Sequence, residues 1–128
     1  MVTENSNTKK ILIVEDNKDM HEIYRSYFND YRNEYNVDME DKADEALSTL
    51  QRKKYDLIIL DMIMEPLAGD SFFVYVKADE RTREIPILVV TVLNPETLQR
   101  LNKIGDLEFL QKPITEEQLM KKIGNMIG

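Results

Sequence analysis

The sequence has no cysteine and a single histidine. A disulfide framework and a thiolate metal site are thereby excluded, and the composition suits a reducing compartment. No long basic block and no Arg-rich helix occur. The balance of 17 Lys and Arg against 24 Asp and Glu gives a net charge of -7, a sign that disfavours direct binding of nucleic acid. The opening stretch MVTENSNTKK is polar and carries no apolar h-region. The longest apolar runs fall far short of the roughly 20 residues a membrane helix needs. The expectation is a soluble cytoplasmic protein without membrane contact. With 128 residues the chain can bury one core but not two good ones, and no internal repeat or low-complexity tract divides it.

What is present is a repeated pattern. Residues 1–8 are polar and patternless, which predicts a disordered leader, with one folded domain over 9–128. Ile11 to Val14, Leu57 to Leu60 and Ile87 to Val90 are unbroken apolar runs, as expected of strands buried on both faces of a parallel sheet. YNVDM alternates through Tyr35, Val37 and Met39 and reads as a strand nearer the sheet edge, and LEFLQK supplies a fifth strand. Between the strands the period changes. Met20, Ile23, Tyr24, Tyr27, Phe28 and Tyr31 trace one face of a first helix. Ala43, Ala46, Leu47 and Leu50 mark a second, and Phe72, Phe73 and Val76 a third. Leu98 and Leu101 predict a brief fourth that ends near Gly105, where a C-cap glycine is expected. Leu119, Ile123, Met126 and Ile127 stripe a fifth, capped by Thr115, with Glu116 and Glu117 at its positive end. Five strands alternating with five helices predict an α/β domain, a doubly wound five-stranded parallel sheet with helices on both faces.

In such sheets ligands lie beyond the carboxyl ends of the strands, where strand order reverses. Four apolar segments here end in polar residues: Glu15 and Asp16, Asp61, Thr91, and Lys112. Three acids in one pocket repel; at an effective dielectric near ~20, a like pair ~4 Å apart costs about 4 kcal/mol before screening. A cation is required. Carboxylate oxygens with no adjacent His or Cys suit Mg²⁺, which takes few protein ligands and keeps waters for itself and for phosphate oxygens. Lys112 adds a second positive charge and the Thr91 hydroxyl a hydrogen-bond donor, so the set fits a phosphoryl group. Asp61, alone at the end of the middle strand, is the best placed nucleophile, able to form an aspartyl phosphate.

These motifs, ILIVEDN, DLIILDM, IPILVVT and FLQKP in this order, resemble the response-regulator receiver domains of bacterial two-component signalling, over essentially Lys10 to Gly128. The resemblance implies the flavodoxin-like receiver fold and a phosphorylation switch. A sensor histidine kinase or phosphotransfer protein would donate its phosphoryl group to Asp61 with Mg²⁺ bound. Asp16 would contact the metal directly, Glu15 mainly through water, and the backbone carbonyl of Ile63 would be a further ligand. Thr91 and Phe109 would move together to report phosphorylation on the surface of helix four, strand five and helix five. That surface could also form a homodimer. The module would not be an enzyme, although it promotes its own phosphoryl transfer and dephosphorylation. Two features depart from the family pattern. Val92 follows the hydroxyl where Ala or Gly is usual and would crowd the phosphoryl site, and Glu65 and Pro66 alter the loop after the acceptor.

Taken singly, these residues have plainer readings. Glu15 and Asp16 could be an exposed loop or a helix cap, and Asp61 a structural cap. His21 reads as a solvated helix residue, and the Tyr and Phe stripe as helix packing. Rival functions also remain. A flavodoxin-like electron carrier shares the alternation, but the first loop, EDNKDM, would repel flavin phosphate with its leading pair of carboxylates, Glu15 and Asp16. A haloacid-dehalogenase-like hydrolase wants a second Asp where Ile63 stands. A domain that signals by binding alone would keep the fold without the chemistry.

Overall fold

The computed structural model describes residues 8–64 and 68–128. Residues 1–7 of the expected leader and the Glu65 and Pro66 departure lie outside these described residues. Thr8, which the sequence places in the leader, is half-buried where the first strand begins. In chain order the elements are β1 (Lys9–Val14), α1 (Lys18–Phe28), β2 (Tyr35–Glu40), α2 (Ala43–Arg52), β3 (Leu57–Leu60), α3 (Gly69–Ala78), β4 (Ile87–Thr91), α4 (Gln99–Asn102), β5 (Glu108–Gln111) and α5 (Glu116–Ile127). The five strands form one sheet in the order β2-β1-β3-β4-β5, and every pair is parallel.

Period-two alternation sorts the buried strands onto two faces. Leu12, Val14, Ile58, Leu60, Ile87 and Val89 point toward α2, α3 and α4, where they meet Ala46, Leu50, Phe72, Phe73, Val76 and Leu101. Ile11, Ile13, Leu57, Ile59, Leu88 and Val90 point toward α1 and α5, where they meet Tyr24, Phe28, Leu119 and Ile123. Burial on both faces explains why β1, β3 and β4 are continuously apolar. The edge strands β2 and β5 are only partly buried, in keeping with the alternation of YNVDM.

The helices hold closely to the spacing of their apolar residues. Asn17 caps α1 by accepting from the Met20 N–H at 3.0 Å. Tyr31 falls beyond the α-helix, in a 3-10 turn over Asn29–Tyr31, and Ile23, at the margin of the predicted stripe, is exposed. Thr115 caps α5, and Gln118 returns the bond to complete a capping box. The fourth helix is as brief as expected and follows a 3-10 turn, Pro95–Leu98. The Gly105 N–H does close on Leu101 O at 3.1 Å, but Gly105 lacks the left-handed φ of a C-cap glycine, which among the described residues only Gly128 adopts. Gly105 packs beside Lys77 of α3, whose Cδ would lie 2.8 Å from a Cβ at this position.

The sheet order places the reversal of chain direction at β1 and β3: from β1 the chain steps outward to β2, then returns to the other side for β3, β4 and β5. Glu15 follows the last residue of β1 and Asp61 the last residue of β3, so both acids stand where a crevice opens between diverging connections. Gly69 lies against the main chain that leads out of β3. Its N–H donates to Met62 O at 3.1 Å, and a Cβ there would overlap the main-chain oxygen of Asp61 and the Cα of Met62. Glycine is thus required for α3 to begin so near the end of β3.

Phe72 is wholly buried and Val74, two residues along the same helix, is exposed. Phe72→Ala is expected to cost about 3–5 kcal/mol in urea denaturation, and Val74→Ala to stay within about 0.5 kcal/mol of the unsubstituted protein. Equal losses would mean that the buried face of α3 is misassigned.

Candidate functional site

The polar strand ends do converge. One carboxylate oxygen each from Glu15, Asp16 and Asp61 lie within 4.8 Å of one another. The Lys112 ammonium enters from the end of β5 and donates to Glu15 Oε1 at 2.8 Å and to Asp61 Oδ2 at 3.1 Å. Glu15 is 1% exposed and Asp61 6%, whereas Asp16 faces solvent. Main-chain donors hold the buried pair from the other side, Asn17 N–H to Glu15 Oε2 and Ile63 N–H to Asp61 Oδ1, each at 3.2 Å. The burial of both partners separates these ion pairs from the exposed ones elsewhere on the surface, which contribute little.

One ammonium between two buried carboxylates leaves an excess of negative charge, with Asp16 adding to it. Burial pushes the Glu15 carboxyl above its ordinary value. The hydrogen bond from Lys112 pulls against this, and the charge of Asp61 raises it again. Burial also acts to lower the Lys112 ammonium, but Glu15 and Asp61 more than offset it, so the lysine is held protonated above its usual range. Tyr24, buried on α1, is raised well above the ordinary phenol value by burial and then by the charges of Glu15 and Asp61. It remains a neutral wall for the acids.

Thr91 ends β4 fully buried, and its hydroxyl has no hydrogen-bond partner among the described residues. A buried hydroxyl left without a partner is costly unless a ligand group completes it. The main chain links it to the lysine, since the Lys112 N–H donates to Thr91 O at 2.8 Å. Phe109 lies one strand over, paired in register with Val89 and half-buried against the α2, α3 and α4 face.

Glu15, Asp16, Asp61 and Lys112 thus meet in one cluster, as expected from the sequence. Ile63 sits in the turn after Asp61 with its side chain 52% exposed. Val92 is 57% exposed and directs its bulk outward rather than into the core. Its carbonyl accepts from Gln111 Nε2 at 3.3 Å. Three residues of the site escape sequence reasoning. Tyr24 reads from the sequence as packing alone. Asn17 draws no notice there, although it stands two residues beyond Glu15 at the start of a helical stripe. His21, expected to be solvated, is half-buried, and its Nε2 bonds the main-chain oxygen of Glu15.

The oxygen set fits a small hard cation. Mg²⁺ takes few carboxylates and keeps several of its waters. The three carboxylate oxygens, all within 4.8 Å of one another, offer it such a set with no Cys or His ligand among them.

A family model for the response regulator receiver domain matches residues 11–124. Among curated proteins, the hybrid signal transduction histidine kinase D of Dictyostelium discoideum is 29% identical over 126 residues, covering 97% of this chain but 8% of that protein. PilH of Pseudomonas aeruginosa is 27% identical over 120 residues, covering 93% of this chain and 98% of PilH. The chain therefore spans a small fraction of the first relative and nearly all of the second. The receiver domain of a sensor histidine kinase from Pseudomonas aeruginosa, solved with a magnesium ion coordinated in its active-site cleft, has the same fold with a TM-score of 0.84 at 24% identity, covering 94% of this chain and 98% of that one. No helix among the described residues is long and apolar enough to cross a membrane.

Because the folded state holds Glu15 above its ordinary 4.5, it binds that proton more tightly than the unfolded chain does. The penalty for ionised Glu15 is full above the raised value and gone below 4.5. Metal-free Glu15→Gln is expected to melt above the unsubstituted protein at pH 7, with the difference closing as pH falls through that window. A lower melting temperature for E15Q at pH 7 would show that its bond to Lys112 outweighs its burial.

Proposed function

Because the chain belongs to the response regulator receiver domain family, we propose that it is a phosphoacceptor switch in which Asp61 takes a phosphoryl group from a histidine kinase or phosphotransfer protein with Mg²⁺ bound. The observation that carries this reading is the Lys112 ammonium shared between buried Glu15 and Asp61, beside a buried Thr91 hydroxyl that lacks a partner among the described residues. Asp16, Asp61 and the Ile63 carbonyl would hold the cation, with Glu15 acting mainly through water. When bound, Mg²⁺ supplies positive charge to the oxygens of the transferring group and orients them.

The residues of the chain account for the rest. Asp61 attacks phosphorus with a carboxylate oxygen, the phosphorus–nitrogen bond of the donor phosphohistidine breaks, and the leaving imidazole keeps its electron pair. Ile63 N–H steadies the other carboxylate oxygen. Lys112 already points at Asp61 Oδ2, so the incoming phosphoryl oxygens give its ammonium a further acceptor in place of one carboxylate. The Thr91 hydroxyl gains the acceptor it lacks. Its movement is passed along the Lys112 N–H bond to Thr91 O into β5, where Phe109 follows and the surface of α4, β5 and α5 shifts between two populations. The module acts as a signalling switch without turnover of a substrate of its own, beyond promoting its own phosphorylation and dephosphorylation. Its setting is the cytoplasm, and the α4, β5 and α5 surface is where an output partner or a second copy would bind.

Acetyl phosphate with Mg²⁺ is expected to add one phosphoryl mass to the intact protein, and Asp61→Asn to abolish the gain in the same mass spectrum. No gain with any small donor or histidine kinase would leave a domain that signals by binding alone. Mg²⁺ is also expected to stabilise the fold by about 2.7 kcal/mol at a hundredfold excess over Kd, read as a raised melting temperature that Asp16→Asn reduces. An unchanged melt across millimolar Mg²⁺ would remove the metal from the reading.

A further inference from the structure

The two acids of the first loop are joined by one peptide unit, and that unit is a rigid plane. It lies beyond the ladder of β1: Val14 O accepts from the Asp61 N–H at 3.1 Å, and the Glu15 N–H donates to Glu40 O at 3.0 Å, but the Glu15 carbonyl projects past the paired strands. There it meets His21 on the first turns of α1, whose Nε2 bonds it. The bond requires the hydrogen to be on Nε2, because the opposite tautomer would set a lone pair against the carbonyl oxygen.

We propose that His21 is a positioning residue for the metal loop, holding the Glu15–Asp16 peptide plane so that the exposed Asp16 carboxylate is directed toward Glu15 and Asp61 before a cation arrives. The inference rests on the Mg²⁺ pocket of the proposed function and adds a residue to it. The flanking bonds show how little freedom remains for the histidine to remove. The Asn17 N–H holds the Glu15 carboxylate at 3.2 Å, and Asn17 Oδ1 caps the helix through Met20 at 3.0 Å. The His21 N–H donates to Asn17 O at 3.2 Å, so the imidazole is mounted on the same helix start. With the Glu15 side chain held by Asn17 and Lys112, the orientation of this peptide plane sets the direction in which the Asp16 side chain leaves the main chain. Asp16 itself makes no hydrogen bond or ion pair among the described residues that could set its direction. A ligand oriented in advance spares cation binding the entropy of ordering it, and partners of this kind commonly govern metal affinity.

Substitution at His21 separates the donor from mere packing. Gln places its amide nitrogen as far from Cα as the imidazole Nε2, whereas Asn falls one bond short and Leu keeps bulk without a donor. Titration of Mg²⁺ by calorimetry is expected to give His21→Gln a Kd within about twofold of the unsubstituted protein, and His21→Asn and His21→Leu a Kd raised about tenfold. The Asp16 amide resonance in the metal-free protein is expected to move in the Asn and Leu variants and to return in the Gln variant. Mg²⁺ affinity unchanged in all three variants, or lost equally in Gln and Leu, overturns the positioning role while leaving the switch intact. Failure of the unsubstituted protein to bind Mg²⁺ overturns the switch reading and this inference together.

Discussion

Charge imbalance at the switch point of the sheet is the constraint around which the site is organised. Glu15 and Asp61 are buried side by side and share one ammonium, and Asp16 adds a third carboxylate within reach of the same point. Burial first, and the charge of Asp61 after it, raise the Glu15 carboxyl above its ordinary value against the pull of Lys112. The same excess of negative charge suits the cluster to a small hard cation. Lys112 is central because both buried acids share its ammonium.

The fold makes this arrangement possible at small structural cost. A core buried on both faces of β1, β3 and β4 gives the strand ends a rigid platform, so polar residues placed just past them project into a common crevice. Gly69 lets the backbone of α3 approach the Asp61 peptide more closely than any side chain would allow. On one side stand the acids that follow β1 and β3, and on the other the Thr91 hydroxyl at the end of β4, unpartnered among the described residues. Ties between the two sides are present: Lys112 bonds Thr91 through the main chain, and the Tyr27 hydroxyl donates to Ile114 O at 2.8 Å, joining α1 to the connection that leads into α5.

Much of the fold is legible in residue order because strand and helix periods alternate cleanly, and short unbroken runs of Ile, Leu and Val suit a strand covered on both faces. The site acids are legible for the same reason, since a carboxylate directly after a buried strand demands partners. Less legible are contributions that depend on reach rather than on pattern. A lone histidine on a helix looks solvated, and nothing local shows that its ring returns to the main chain six residues earlier. Tyr24 belongs to the apolar stripe of α1, and only the sheet beneath it reveals that its environment includes two carboxylates. Gly105 resembles a helix cap in sequence, but its backbone is not left-handed, and its close neighbour is the side chain of Lys77 from a distant helix.

From residue order alone follow the α/β class, the five strands, the helix faces and the set of polar groups at the strand ends, because each is fixed by periodicity within a short window. Tertiary structure decided the strand order, the sharing of Lys112 between Glu15 and Asp61, the burial of the Thr91 hydroxyl and the return of His21 to the first loop. Those are relations between segments far apart in the chain, and their distances exist only once packing of the two faces has set every strand end in register.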